Sequence, residues 1–155
     1  MNIVRRLLAC GALSVALALL VTAPLRAAKD DVPTPKEYGV YVKTTKGMVR
    51  ILTNLVFEEG GMIYLESNNP ARFQLNDLNY FIVYGKYDIR YVTLNNLLFL
   101  NQSPVGKPRF MFGKELEVEV KKRGDGLYTV KPKGLFGRGY YGLWINDEVW
   151  DIIIQ

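Results

Sequence analysis

The chain has 155 residues, with 20 basic and 15 acidic side chains, one cysteine and no histidine. Without histidine it cannot build a Ser-His or Cys-His catalytic site, and zinc sites of the usual ligand types are excluded as well. We therefore predict no metal, no cofactor and no enzymatic activity.

Residues 1–28 have the pattern of a secretory signal peptide. Arg5 and Arg6 form a basic start, residues 7–23 are an apolar run, and an alanine pair precedes a charged segment. We predict cleavage here and a periplasmic or secreted protein. An uncleaved membrane anchor is the alternative, because the cleavage site is imperfect and the run is long enough to span a bilayer.

Cleavage would remove Cys10 and three arginines, which leaves a chain of about 127 residues with 17 basic and 15 acidic side chains. An exported protein without cysteine has no disulfides, so its stability must come from one hydrophobic core. The small net charge gives no argument for nucleic acid, and we predict none as a partner. A membrane would be a partner only through an uncleaved leader.

Residues 29–37 contain two prolines and are predicted to be a flexible lead-in, with a single β domain over residues 38–155. From Tyr38 onward, apolar and polar residues alternate with period two between glycine-rich and asparagine-rich links. Short links leave no room for crossover helices. The pattern predicts an all-β fold, either an antiparallel β-sandwich or a small β-barrel, of about eight to ten short strands.

Residues 79–94 are predicted to form a hairpin through a type II′ turn at Gly85-Lys86. That register would place four tyrosines on one face, which is either a core face or a platform for an apolar or glycan ligand. The four are Tyr80, Tyr84, Tyr87 and Tyr91.

Residues 115–133 are predicted to form a hairpin around a glycine-rich loop of three residues. The register places Val120 opposite Val130 on an apolar face. It also places Glu119 opposite Lys131 on a charged face, as expected for a sheet that is wet on one side.

Two apolar runs over residues 139–155 are joined by Asn146-Asp147, which predicts a hairpin with a type I′ turn. Both faces of this hairpin are apolar, so both must be covered. Either the hairpin is central to the domain, or one face contacts another chain, with strand addition at residues 152–154 as an extension of that contact. The candidate contact residues are Tyr140, Trp144, Val149 and Ile153.

Gly139 and Tyr141 repeat the spacing of Gly39 and Tyr41, and in both places a valine follows eight residues after the tyrosine. This repetition raises the possibility that two equivalent hairpins open and close the domain.

Asp151 is a carboxylate between Trp150 and Ile152, on an otherwise apolar hairpin. It is a candidate for binding or for acid-base chemistry, because perturbed carboxylates concentrate at functional sites. The competing interpretation is a structural ion pair, for example with Arg90.

These patterns favour an exported, non-enzymatic binding or scaffolding module of the cell envelope, whose partner is another envelope protein or a glycan. The alternative is a small β-barrel that binds an apolar or glycan ligand on its tyrosine face. An enzyme that uses carboxylates alone and an outer-membrane barrel are weaker alternatives.

Overall fold

A computed structural model describes residues 31–134 and 136–155, so the predicted signal peptide lies outside the described residues. Within them the chain is all β, as predicted, with twelve strands and a single-turn 3₁₀ helix at Ile89–Tyr91. No helix in this part of the chain is long and apolar enough to cross a membrane. The strands are β1 (Gly39–Thr44), β2 (Gly47–Ile51), β3 (Thr53–Glu59), β4 (Met62–Glu66), β5 (Ala71–Phe73), β6 (Leu78–Tyr84), β7 (Thr93–Gln102), β8 (Pro108–Leu116), β9 (Val118–Gly124), β10 (Leu127–Pro132), β11 (Gly139–Ile145) and β12 (Glu148–Ile154).

The sequence left a sandwich and a barrel as alternatives, and the structure contains features of both. Strands β11, β7, β8, β4, β3 and β12 pair in that order, and a β11–β12 pairing closes them into a six-stranded barrel. Strands β2, β1, β6, β10 and β9 form a second sheet. Strand β5 joins β12 in parallel, an exception to the antiparallel pattern that we predicted.

The hairpin of β11 and β12 is covered on both faces because it lies between two cores. Its predicted register is confirmed, with Leu143 opposite Trp150. Leu143 packs toward the second sheet, in a core shared with β1, β6 and β10, whereas Trp144 points into the barrel. We call the outer side of β11 and β12 the covered wall. At the turn Asn146 has a φ of 55°, while Asp147 lacks the positive φ that a type I′ turn requires.

The barrel interior is filled by apolar side chains from all six strands. Aromatic stacking orders this core: Phe110 lies 4.8 Å from Tyr140, and Phe112 lies 4.5 Å from Trp144, measured between ring centroids. The packing excludes a tyrosine-lined cavity at this place. The members are Val56, Leu65, Leu97, Phe110, Phe112, Tyr140, Trp144 and Val149.

The predicted register of β9 and β10 is also confirmed, with Val130 opposite Val120 and Lys131 opposite Glu119. On the charged face, however, Glu119 forms its ion pair with Lys121 of its own strand, at 3.1 Å. Adjacent side chains on one strand face can compete with cross-strand partners because both lie within reach.

The predicted hairpin over residues 79–94 is wrong. Strand β6 pairs with β1 on one side and β10 on the other, so it is a central strand of the second sheet. The chain does not reverse direction at Gly85-Lys86 to form a hairpin. Instead, the Gly85 N–H donates to the Gly126 carbonyl at 2.9 Å. The Asp88 side chain then accepts the Arg90 N–H and starts the 3₁₀ turn, which interrupts the extended conformation.

The repeated Gly-x-Tyr spacing corresponds to a repeated local structure. The Tyr41 hydroxyl donates to the Glu37 carbonyl at 2.8 Å, and the Tyr141 hydroxyl donates to the Gly137 carbonyl at 3.0 Å. Each tyrosine therefore ties the start of its hairpin to the chain four residues upstream, although β1 and β11 belong to different sheets. Tyrosines that bond the backbone just upstream are known from other β-sandwiches.

The predicted lead-in has no regular structure over residues 31–37, and part of it lies on the second sheet. Val32 packs against a cluster of Tyr41, Ile82 and Leu127, and Pro35 is buried. This segment covers a part of one side of the second sheet, while the barrel covers the other side.

Candidate functional site

The predicted contact residues of the last hairpin form part of the domain's own core. Tyr140 and Trp144 are half-buried in aromatic stacks, Val149 is fully buried, and Ile153 lies opposite Tyr140 and is 6% exposed. Of the two interpretations given by the sequence, the central position within the domain accounts for this face. This face is therefore part of the barrel core.

Strand addition at residues 152–154 is wrong, because β12 has no free edge there. Ile152 pairs with Tyr141 on one side and with Ala71 on the other. The short parallel strand β5 could not be anticipated from alternation, since parallel pairing joins segments far apart in the sequence.

The four tyrosines do not share a face, so the predicted tyrosine slab is wrong. Tyr80 and Tyr84 pack with Tyr41 on the second sheet, whereas Tyr87 meets Trp150 edge-on at 5.5 Å in the other core. The fourth, Tyr91, is 64% exposed. The prediction of a tyrosine slab assumed the hairpin register at Gly85, and because that hairpin does not form, the prediction is wrong as well.

Asp151 is an unusual carboxylate, as the sequence indicated. It is 1% exposed and faces Asn54 and Ser67, which both donate hydrogen bonds to it, Asn54 at 2.5 Å. Burial raises the pKa of Asp151, and the two hydrogen bonds oppose that rise without cancelling it. The suggested partner Arg90 pairs with Asp88 instead, at 2.7 Å.

Asp151 also borders a cleft of about 370 Å³ between the β2–β3 junction and the loop before β5. Arg50 and Arg72 line the same cleft. Arg50 forms an ion pair with Glu37, with 2.5 Å between Arg50 Nη1 and Glu37 Oε2. Because Asp151 already accepts from two neutral donors that lie on other barrel strands or at their ends, its geometry is that of a buried structural carboxyl.

The outside of the barrel carries an apolar row that was not among the predicted site residues. Four directly paired residues on β3, β4, β8 and β7 form it: Phe57, Tyr64, Met111 and Leu98. We call this row and its surroundings the open wall. Phe57 is 40% and Leu98 is 47% exposed, and near the row Leu55 is 65% exposed. Met111 is half-buried, and Tyr64 is only 7% exposed because Phe57 and Arg109 pack against its ring.

Charged groups border the open wall without carrying a strong net charge. The Arg109 guanidinium lies 4.9 Å from the Tyr64 ring centroid and 2.8 Å from the Glu66 carboxylate. That hydrogen bond raises the pKa of Arg109. The sequence contains a signal for the open wall, because residues 55–57 and 62–65 are apolar on both faces, like the last hairpin.

A second shallow cleft, of about 410 Å³, brings together two of the predicted site residues, Tyr91 and Trp144. Polar side chains complete its lining: Thr93, Asn95, Glu115 and Asn146. Stacking on aromatic rings and hydrogen bonding to amides are the interactions that such a lining can offer.

No protein-family model, no curated protein and no solved structure matches this chain. Within the described residues, no group of three or more histidine, cysteine, aspartate or glutamate side chains is placed to hold a metal ion. The function is therefore inferred from the geometry of the surfaces described above.

Proposed function

We propose that this protein is an exported, non-enzymatic binding or scaffolding module of the cell envelope, and that another envelope protein docks on the open wall. The leader pattern of residues 1–28 supports export, and the lack of histidine in the chain supports the non-enzymatic role. The docking surface rests on one observation, the apolar row across four adjacent strands, whose outer members Phe57 and Leu98 are exposed.

Large contiguous apolar patches on a soluble domain mark interaction sites. Phenylalanine, tyrosine, methionine and arginine are enriched at protein interfaces, and the open wall contains Phe57, Tyr64, Met111 and Arg109. Because Glu66 already pairs with Arg109, a partner could cover this guanidinium without leaving it unpaired. This composition favours a protein partner over a charged polymer.

The second candidate, a barrel that holds a ligand inside, has weaker support. Its predicted tyrosine lining is not assembled, and aromatic side chains occupy the barrel interior. A ligand would have to bind at a surface cleft.

Docking is tested by placing a photo-crosslinking residue at Leu98 in the exported chain and identifying the adducts in intact cells by mass spectrometry. The matched control position is Val105, which is 77% exposed but lies in the β7–β8 loop, outside the open wall. We expect one defined adduct at position 98 and none at position 105. The substitution Phe57→Glu should remove the adduct, because a buried unpaired charge is costly at an interface.

Identical adducts at both positions, no adduct at position 98, or an adduct that persists in Phe57→Glu would each contradict docking on the open wall. Urea unfolding of the purified Phe57→Glu protein must match the parent, which separates lost docking from lost folding.

Export is tested separately, by fractionating cells and sequencing the mature N-terminus. We expect a periplasmic or secreted protein that begins near Lys29. Recovery of the full-length chain in the cytoplasm would contradict the export part of the proposal.

A further inference from the structure

The cleft lined by Tyr91 and Trp144 has one aromatic ring, that of Trp144, that is held in place before any ligand arrives. Trp144 stacks on Phe112 at 4.5 Å, and its indole N–H donates to the Asn146 carbonyl. The Trp144 indole therefore loses little conformational entropy on binding. Tyr91 ends the 3₁₀ turn, where its backbone N–H donates to the Asp88 carbonyl at 3.2 Å, and its ring is 64% exposed and accessible to a ligand.

The polar lining of this cleft is neutral except for one carboxylate. Asn146 offers an amide and Glu115 offers the carboxylate. The Thr93 hydroxyl already donates to Asn95 Oδ1 at 2.9 Å, and the Asn95 amide donates to the Gly113 carbonyl. The nearby Arg90 lies over the Tyr91 ring, 5.6 Å from its centroid, but its charge is paired with Asp88. The cleft therefore presents no unpaired cation to an anionic ligand.

These features match the two chemical faces of a sugar ring. A pyranose with equatorial hydroxyls presents flat C–H surfaces that pack on aromatic rings, and a rim of hydroxyls that both donate and accept hydrogen bonds. An anionic glycan fits less well, because Glu115 would repel it. An aliphatic ligand would cover the Asn146 amide and the Glu115 carboxylate without hydrogen-bonding either of them.

We propose that the cleft between Tyr91 and Trp144 binds a neutral pyranose ring of a glycan. Glu115 and the Asn146 amide hydrogen-bond the hydroxyl rim, and the rings of Tyr91 and Trp144 receive the apolar face. The site uses none of the residues of the open wall, so it does not depend on the proposed docking function.

The test titrates the whole mature protein with cellotetraose and, separately, with chitotetraose, while tryptophan fluorescence is recorded. Two tryptophans are present, and Trp150 is only 3% exposed, so a change reports mainly on Trp144. We expect a saturable change with at least one sugar that is insensitive to salt, because no ion pair is involved. Which sugar binds distinguishes plain glucose units from N-acetylated ones.

Tyr91→Ala should weaken binding roughly 2- to 12-fold, the loss expected for one aromatic contact. Glu115→Gln should also weaken binding, because it exchanges an ionised acceptor for a neutral amide. Tyr38→Ala is the matched control, since Tyr38 is 58% exposed and does not line the cleft. Circular dichroism checks that each variant is folded.

No saturable change with either sugar would overturn the proposal. Equal losses in Tyr91→Ala and Tyr38→Ala would do so too, as would tighter, salt-sensitive binding of dextran sulfate, which would identify a site for anionic polymers instead. The crosslinking result at Leu98 is unaffected by any of these outcomes.

Discussion

Two sides of one barrel are apolar on the outside, yet only one of them is covered. On the covered wall, Leu143 and Ile145 are fully buried beneath the second sheet. On the open wall, Phe57 and Leu98 keep close to half of their surface in contact with solvent. Outward apolar rows therefore have two uses in this fold. One row joins two layers of the domain, and the other is left for a molecule outside it.

The largest expected effect comes from truncating the covered wall. Leu143→Ala should lower the free energy of unfolding by about 2–5 kcal/mol, because it removes a fully buried side chain and leaves a cavity. Urea unfolding followed by tryptophan fluorescence measures this. A loss below about 1 kcal/mol would place Leu143 outside the tightly packed core.

A smaller loss of stability is expected when a methyl group is added to the packed barrel interior beneath the covered wall. A Cβ at Gly142 would lie 3.1 Å from Val149 Cγ1 and 3.3 Å from Leu97 Cδ2. Gly142→Ala should therefore cost about 1–3 kcal/mol in thermal unfolding. Gly113→Ala is the matched variant on the open wall, where a Cβ would clash with the buried Asn96 Oδ1 and lie 3.1 Å from Leu98 Cγ, and its cost should be of the same size.

Removing one hydroxyl at the edge of the covered wall tests the repeated tyrosine contact. Tyr141→Phe should cost about 1 kcal/mol, the usual value of one hydrogen bond. Tyr41→Phe in the second sheet should cost about the same, because both hydroxyls bond a backbone carbonyl four residues upstream. Unequal losses in chemical denaturation would show that the two hairpins are not energetically equivalent.

The pH dependence of stability distinguishes the buried carboxyl of β12 from an exposed one. Burial raises the pKa of Asp151, so the folded state binds its proton more tightly than the unfolded chain does. Its stabilising contribution is full below the unfolded pKa of about 3.9 and is lost as pH rises through the folded value. The stability of Asp151→Asn relative to the parent should therefore increase from pH 4 to pH 7 in urea unfolding.

The control for this titration is Asp77, whose pKa is lowered by a hydrogen bond from Lys46. Its contribution is fully present above the unfolded pKa of about 3.9 and is lost as pH falls through the folded value. Between pH 4 and pH 7 the stability of Asp77→Asn relative to the parent should therefore stay nearly constant, and it should increase only as the pH falls below 4. The same trend in both variants would contradict the role of burial at Asp151.

The smallest effect on stability is expected on the open wall itself. Leu98→Ala should change the free energy of unfolding by less than about 0.5 kcal/mol, because a half-exposed side chain loses little burial. Urea unfolding checks this beside Leu143→Ala. Comparable losses in the two variants would mean that the two walls do not differ.

Local signals in the sequence were sufficient to predict the register of hairpins whose two strands are consecutive in the chain. The register of β11 and β12 followed from Asn146-Asp147 between two apolar runs, and that of β9 and β10 from a glycine-rich loop. Partners that are distant in the sequence were not accessible in this way. Residues 78–84 have a plausible turn after them, but β1 and β10 compete for both edges of that strand.

The same distinction applies to the candidate sites. Asp151 stood out because a carboxylate is rare between large apolar residues, yet its partners Ser67 and Asn54 lie 84 and 97 positions away in the chain. Trp144 is covered by Phe112 inside the barrel. Whether Phe57 is covered depends on what packs against the outside of the barrel. Alternation gives the two faces of a strand, but it does not give the neighbour of either face.

Closure of the barrel requires the last strand, so the chain cannot complete this fold until its C-terminal residues have been synthesised. Strand β3 pairs with β12, so the ring stays open until residues 148–154 have emerged. Because the chain emerges with its N-terminus first, one edge of β3 remains unpaired until β12 is available. A chain stopped short of β12 would lose the seam that joins the ring and the strand that positions β5.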